Sequence, residues 1–251
     1  MTQMPKLIFF DLDGTLAPSK SELDEEMAEL LRQLLRETKV CVVSGGSLKQ
    51  FLEQVVDKLP SEATLSRLYL EPTSGAALYQ WEHGEWHKVY EERLIPFQIS
   101  EIEGAMKLAG NETGLINWED KSYGDRIEAR GGQVTLSALG QHALLPMKRE
   151  WDPDKSKRIK LRDAIAKRLP AYEVHMGGLT SIDVNRAGID KAYGIRQLCT
   201  WLHMAETDAL YVGDQLVAGG NDEAAFKTHI QTKSVKDPEE TAAFIRKLLG
   251  Y

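Results

Sequence analysis

Four consecutive apolar residues, Leu7-Ile8-Phe9-Phe10, run without a polar break into Asp11-Leu12-Asp13-Gly14-Thr15. A strand that is apolar on both faces must be covered on both sides, which is the situation of a parallel sheet sandwiched between helices. The two aspartates then fall at the carboxyl end of the strand, where open α/β sheets bind their ligands. The next segments keep to that plan. Leu23, Met27, Leu30, Leu31, Leu34 and Leu35 trace one helix face. Ser19-x-x-Glu22 has the spacing of a capping box, and Asp24, Glu25 and Glu26 put negative charge early in that helix. Val40–Val43 is a second buried run, closed by Ser44-Gly45-Gly46. Leu48, Phe51, Leu52, Val55, Val56 and Leu59 mark a second helix that Pro60 stops, and Leu68-Tyr69-Leu70 reads as a third strand. This β-α-β-α-β start predicts a doubly wound, Rossmann-like parallel α/β layer.

The pattern changes near residue 80. Trp81 to Arg93 reads as a hairpin turning at His83-Gly84. A helix is predicted over 100–109, strands at 114–118, 126–129, 133–138, 173–175 and 180–184, and a basic amphipathic helix over 154–169. That order describes an α+β module inserted into the α/β layer. The alternating pattern resumes with a helix at 189–203 and a strand at 209–212. A last helix opens on Asp237-Pro238 and ends at Gly250. The expected organisation is a core of residues 1–83 and 184–251, with a cap domain of residues 84–183 that sets substrate specificity.

With 31 Lys+Arg against 38 Asp+Glu, the net charge is −7. A surface that must neutralise nucleic-acid phosphates is not expected from this balance. No segment approaches 18 apolar residues, and Leu7–Phe10 is too short for a secretory signal core, so the expectation is a cytoplasmic protein without a membrane span. The two cysteines, Cys41 and Cys199, form no CxxC pair and read as buried thiols. His83 and His87 stand four apart with no cysteine to complete a zinc site, and read as surface residues of the hairpin.

The chemistry concentrates in Asp11, Asp13, Ser44-Gly45-Gly46, Lys191, Gly213-Asp214 and Gly219-Gly220-Asn221-Asp222, each at a predicted strand end or helix start. Two nearby carboxylates resist double ionisation, which suits a division of labour between a nucleophile and a general acid. An aspartate nucleophile splits a phosphoryl transfer into two easier displacements. Asp11 and Asp214 supply the hard oxygen ligands that Mg²⁺ prefers. Gly14, Gly45 and Gly46 let backbone amides approach phosphate oxygens, and Lys191 brings a point charge to them.

These segments, taken together, resemble the haloacid-dehalogenase-like phosphohydrolases with a large α/β cap, most closely those of the eukaryotic phosphomannomutase type. The likeness rests on Phe10–Leu16, Val42–Gly45, Ile127-Glu128-x-Arg130, Gly177-Gly178-x-x-Ser181-x-Asp183, Gly188-x-Asp190-Lys191 and Gly213-Asp214 with Gly219–Asp222. The resemblance implies that Asp11 accepts the phosphoryl group and that Asp13 is the acid/base. It implies that Mg²⁺ is held by the Asp11 carboxylate, the Asp13 carbonyl and Asp214, with Asn221 and Asp222 at or just behind the metal. Ser44, Gly45 and Lys191 would hold the phosphoryl group, and Arg130, Ser181 and Asp183 the sugar phosphate. Three positions depart from the mutases. Gln141 and Met176 stand where those enzymes carry arginines that clamp a distal phosphate, and Ser44 replaces a glycine. A neutral Gln does not replace a forked cation on a dianion. The expectation is therefore a Mg²⁺-dependent sugar-phosphate phosphatase, with a hexose-phosphate mutase as the alternative and a non-catalytic binding module as a third reading. The implied partner is a small phosphorylated substrate, and a homodimer through the cap is left open.

Overall fold

The computed structural model describes residues 4–251. They form two compact units: the stretch ending at Glu91 together with Asp190–Tyr251, and Glu92–Ile189.

The first unit is built from β1 (Leu7–Asp11), α1 (Glu25–Glu37), β2 (Lys39–Val43), α2 (Leu48–Gln54), β3 (Leu68–Glu71), β4 (Ala77–Glu82) and β5 (Glu85–Glu91). The second unit contributes α3 (Pro96–Thr113), β6 (Ile127–Ala129), β7 (Gln133–Ser137), α4 (Leu145–Trp151), α5 (Ser156–Ala166), β8 (Tyr172–Met176) and β9 (Ser181–Arg186). The chain then completes the first unit with α6 (Lys191–Trp201), β10 (Ala209–Gly213), β11 (Gln231–Ser234) and α7 (Pro238–Leu249).

In the first unit seven strands lie in the order β11-β10-β1-β2-β3-β4-β5, the first five parallel and β4 and β5 antiparallel. The two-residue period of a strand sorts its side chains onto two faces. Ile8, Phe10, Val40, Val42, Leu210 and Val212 join α1 and Ile245 of α7 on one side. Leu7, Phe9, Cys41, Val43, Ala209 and Tyr211 join Ile195, Leu198 and Cys199 of α6 on the other. Both cysteines are buried and free. The register sets Asp11 beside Val43 and Phe10 beside Val212, so the ends of β1, β2 and β10 are level.

The second unit is a four-stranded antiparallel sheet, β6-β7-β9-β8. Val134, Leu136, Ile182 and Val184 pack with Ile102 and Met106 of α3 and Leu161 and Ile165 of α5. The alternate residues of β7 and β9 are polar and buried: Gln133, Thr135, Ser137, Ser181, Asp183 and Asn185.

Several local expectations are corrected. Ser19-x-x-Glu22 does not cap α1; Asp24 does, accepting from Met27 N at 2.8 Å. The second helix is shorter than its apolar spacing suggested and ends at Gln54. Residues 114–118 form no strand; Ile116 and Trp118 pack onto the apolar cluster of the second unit from irregular backbone. Helix α4 and the edge strand β11 were not anticipated. The hairpin does turn at His83-Gly84, both at positive φ, as a tight two-residue connection needs. No helix among the described residues is long and apolar enough to cross a membrane.

Glu71, the last residue of β3, is fully buried and its carboxyl oxygens make no hydrogen bond among the described residues. Burial pushes this carboxyl well above 4.5. The fold thus holds a neutral acid that the unfolded chain ionises once the pH passes its ordinary value. Stability is complete below that value and falls as the pH rises toward the folded one. Glu71→Gln removes the linkage and is expected to raise the Tm by about 2–4 °C at pH 7.5. The gain should shrink toward zero at pH 5 in thermal melts at the two pH values.

Candidate active site

Helix α6 starts at Lys191, with Asp190 as its N-cap accepting from Tyr193 N at 3.0 Å. That start aims the Lys191 ammonium under the carboxyl ends of β1 and β10, where it donates to Asp11 Oδ1 at 2.5 Å and Asp222 Oδ1 at 2.6 Å. All three side chains are almost wholly buried. Asp222 is fixed further by the Tyr211 hydroxyl at 2.5 Å and by Gln215 N at 3.0 Å, so both of its oxygens are engaged. Asp214 accepts from Gln215 Nε2 at 2.7 Å and from Thr15 Oγ1 at 3.4 Å, and its own N–H donates to Thr15 Oγ1 at 3.0 Å. Gly14 makes this approach possible: at φ +92°, a Cβ there would lie 2.8 Å from Asp214 Oδ2.

The carboxylates of Asp11, Asp214 and Asp222 bring oxygens within 4.8 Å of one another. Burial, with Asp222 and Asp214 nearby, pushes Asp11 well up despite Lys191, and burial also raises Asp214. Burial pulls Lys191 down, but Asp11 and Asp222 outweigh it and hold the ammonium above its ordinary range, so it stays charged. With Asp11, Asp214 and Asp222 all ionised, three carboxylates would face one ammonium, a deficit that two further positive charges would balance. Asp11 Oδ2 is buried and accepts no hydrogen bond among the described residues. An all-oxygen donor set with that unsatisfied atom fits a divalent hard cation such as Mg²⁺. Asp11 and Asp214 would hold such an ion, while the fully engaged Asp222 holds Lys191.

Of the other expected residues, Asp13 accepts from Lys20 N at 2.5 Å. Asn221 adjoins Asp222, and its side-chain carbonyl is buried without a partner among the described residues. Ser44 and Gly45 follow directly on β2, with Ser44 buried.

In the second unit, one cross-strand row carries Glu128, Thr135, Asp183 and His175, and a neighbouring one carries Gln133, Asn185 and Glu173. Thr135 Oγ1 donates to Asp183 Oδ1 at 2.7 Å, and the Ser137 and Ser181 hydroxyls are 3.1 Å apart. Arg130 Nη2 donates to Glu128 Oε2 at 2.7 Å and to Gln141 Oε1 at 3.0 Å, so Gln141 joins the guanidinium instead of supplying a second cation. Met176 lies in the apolar row of Leu136 and Ile182, toward the helices. The loop before Ser181 is tied by Arg158, which donates to Gly178 O at 2.8 Å and to Asp152 Oδ2 at 2.6 Å.

The sequence motifs include Thr15 and Glu128 but single out none of Tyr211, Gln215, Thr135 and Asn185. The polar alternation of Gln133, Thr135 and Ser137 was a visible signal of a second polar face, whereas the Tyr211 hydroxyl was hidden inside an apolar run.

The sequence profile of eukaryotic phosphomannomutases matches residues 27–251. The chain belongs to that family. It is 26% identical over 262 residues to the phosphomannomutase of Saccharomyces cerevisiae, covering 97% of this chain and 94% of the relative. It is 25% identical over 253 residues to human phosphomannomutase 1, covering 96% and 91%. A haloacid dehalogenase-like hydrolase from Bacteroides thetaiotaomicron superposes with a TM-score of 0.61 at 18% identity, covering 97% of this chain and 99% of that one. An IMP-nucleotidase from Plasmodium falciparum superposes with a TM-score of 0.71 at 19% identity, and there this chain spans 98% of itself but 66% of the nucleotidase. At such identities the shared property is the haloacid-dehalogenase-like fold.

Saturating Mg²⁺ is expected to raise the Tm of this phosphomannomutase-family chain by roughly 5–10 °C. Asp214→Asn should abolish most of that rise. Melts in Mg²⁺ and in EDTA check both.

Proposed function

We propose that the chain is a hexose-phosphate mutase that moves a phosphoryl group between the 6- and 1-positions of a sugar through an aspartyl phosphate at Asp11. The observation that carries this reading is the family match from residue 27 to the C-terminus. It turns round the order expected from the cap positions, which had put hydrolysis first. The arrangement around Asp11 supports the chemistry both activities share. Asp11 attacks phosphorus as the bond to the sugar oxygen breaks, and Asp13 gives that oxygen its proton. In the reverse half-reaction, Asp13 takes the proton of the other sugar hydroxyl as that oxygen attacks the aspartyl phosphate. Lys191, held by Asp222, stays charged and faces the transferring oxygens, with the Ser44-Gly45 amides and hydroxyl as further ligands. Mg²⁺ bound at Asp11, the Asp13 carbonyl and Asp214, with Asn221 and Asp222 adjoining, would neutralise charge between nucleophile and phosphate. We assign the sugar phosphate to Arg130, Gln141, Ser181 and Asp183 on the polar face of the second unit.

Hydrolysis, with water as the acceptor, is the second reading. It is favoured by Gln141 bonding to Arg130 and by Met176 packing among apolar side chains, since neither supplies the distal-phosphate cation.

With mannose 1-phosphate and a hexose bisphosphate activator, the expected result is appearance of the 6-phosphate faster than release of inorganic phosphate. Phosphate release with no interconversion would move the assignment to a phosphatase. Asp13→Asn is expected to lower kcat by about 10²–10⁴-fold, the worth of a positioned acid. Asp11→Asn should leave no turnover in the same assay. Arg130→Ala should raise KM by about tenfold, the value of a charge-assisted contact of about 1.5 kcal/mol.

A further inference from the structure

Three successive residues after β3 lie in the left-handed region: φ is +55° at Thr73, +59° at Ser74 and +87° at Gly75. A β-branched residue there is an outlier that persists only where its surroundings over-determine it. The surroundings on one side are the loop after β2. Thr73 N donates to Gly46 O at 2.9 Å and Ser74 N to Ser44 O at 2.9 Å, while Ser44 N donates to Glu71 O at 3.3 Å. Because C=O and N–H point in opposite directions across a trans peptide, pinning the Ser44 carbonyl turns the Gly45 amide away from the arch.

On the other side, the arch packs on the first turn of α6. A Cβ at Gly75 would stand 3.0 Å from Gly194 Cα and 3.1 Å from Asp190 O, and a Cβ at Gly194 would collide with the Glu71 carboxylate. The Tyr90 hydroxyl donates to Gly75 O at 2.8 Å, and the Tyr90 ring meets Tyr193 of α6 edge-on at 5.9 Å. The arch therefore touches both the loop that carries Ser44 and the helix turn that carries Lys191.

We propose that Thr73-Ser74-Gly75 is a positioning element that sets the gap between the Ser44 loop and Lys191 so that both meet one phosphoryl group. The inference rests on the reading that Ser44 and Lys191 hold that group. Neither strained residue touches the reacting atoms; they act through two carbonyls and a helix turn.

The test compares wild type, Gly75→Ala and Gly84→Ala. Gly84 has φ +86° with open space around it, so it carries the same backbone strain without the contact to α6. Binding of inorganic phosphate in Mg²⁺ is measured by calorimetry, alongside kcat and KM. Gly75→Ala is expected to weaken phosphate binding and lower kcat/KM by about tenfold or more, as small misplacements of binding groups do. Gly84→Ala should change neither beyond about twofold while lowering the Tm, as a surface strain does. Gly75→Ala with wild-type phosphate affinity overturns the proposal. Should Gly75→Ala not fold, Tyr90→Phe removes the bond to Gly75 O while keeping the ring, and is expected to weaken phosphate binding about threefold or more, the value of a net hydrogen bond. Unchanged affinity in that variant overturns the proposal equally. Phosphate binding is read without turnover, so a wild type that binds phosphate but transfers none refutes the proposed function alone, and the variants still decide the arch.

Discussion

The buried ammonium of Lys191 between Asp11 and Asp222 is the interaction around which the first unit is arranged. An ion pair removed from water is expensive unless its remaining hydrogen-bonding capacity is met. Tyr211 and Gln215 meet it on Asp222, whereas Asp11 Oδ2 accepts no hydrogen bond among the described residues. Removing Lys191 would strand two carboxylates in the interior, whereas loss of either aspartate leaves the ammonium one partner.

The parallel sheet makes this triad possible. Level strand ends put Asp11, Ser44 and Asp214 at one edge although they are far apart along the chain. Both faces of β1 are packed, so its end has little freedom, and residues carried there inherit that rigidity. The Ser44 loop has no such strand on its far side. Its order comes from hydrogen bonds to a strained neighbour that is itself wedged on α6. Strand packing thus fixes the end of β1 that carries Asp11, and the loop that carries Ser44 is held by hydrogen bonds to a neighbour in left-handed backbone.

The parts of this architecture that were legible in the sequence are those where burial and periodicity agree. Leu7–Phe10 and Val40–Val43 announce two-faced strands, and Asp237-Pro238 with Gly250 brackets the last helix at both ends. The triad was legible because Asp11 ends an apolar strand, Lys191 opens a helix, and Asp222 closes a glycine-rich loop after the next strand. What escaped had no such agreement. Strand β11 carries exposed polar residues at a sheet edge and has no apolar signal. Ile116 and Trp118 look like strand residues because they are buried, yet they reach the core from irregular backbone. The residues after β3 contain a proline, a threonine and a serine that suggest an ordinary turn. Nothing in Pro72-Thr73-Ser74 foretells left-handed angles, because the cause lies in the distant Gly46 carbonyl and Gly194. The role of Met176 was likewise invisible until the register placed it in an apolar row.

The first unit is assembled from two stretches of chain, with β10 inserted beside β1 only after the whole second unit has been written. During synthesis on a ribosome, β1 therefore waits with one edge bare while the intervening residues emerge, and an unpaired apolar edge invites association with other nascent chains. The second unit has its own core and is free to fold during that interval. Lys191 and Asp222 arrive with the same late segment that covers the bare edge. Closure of the sheet and assembly of the buried Lys191–Asp11–Asp222 group are consequently one event, and a polypeptide truncated before β10 carries neither.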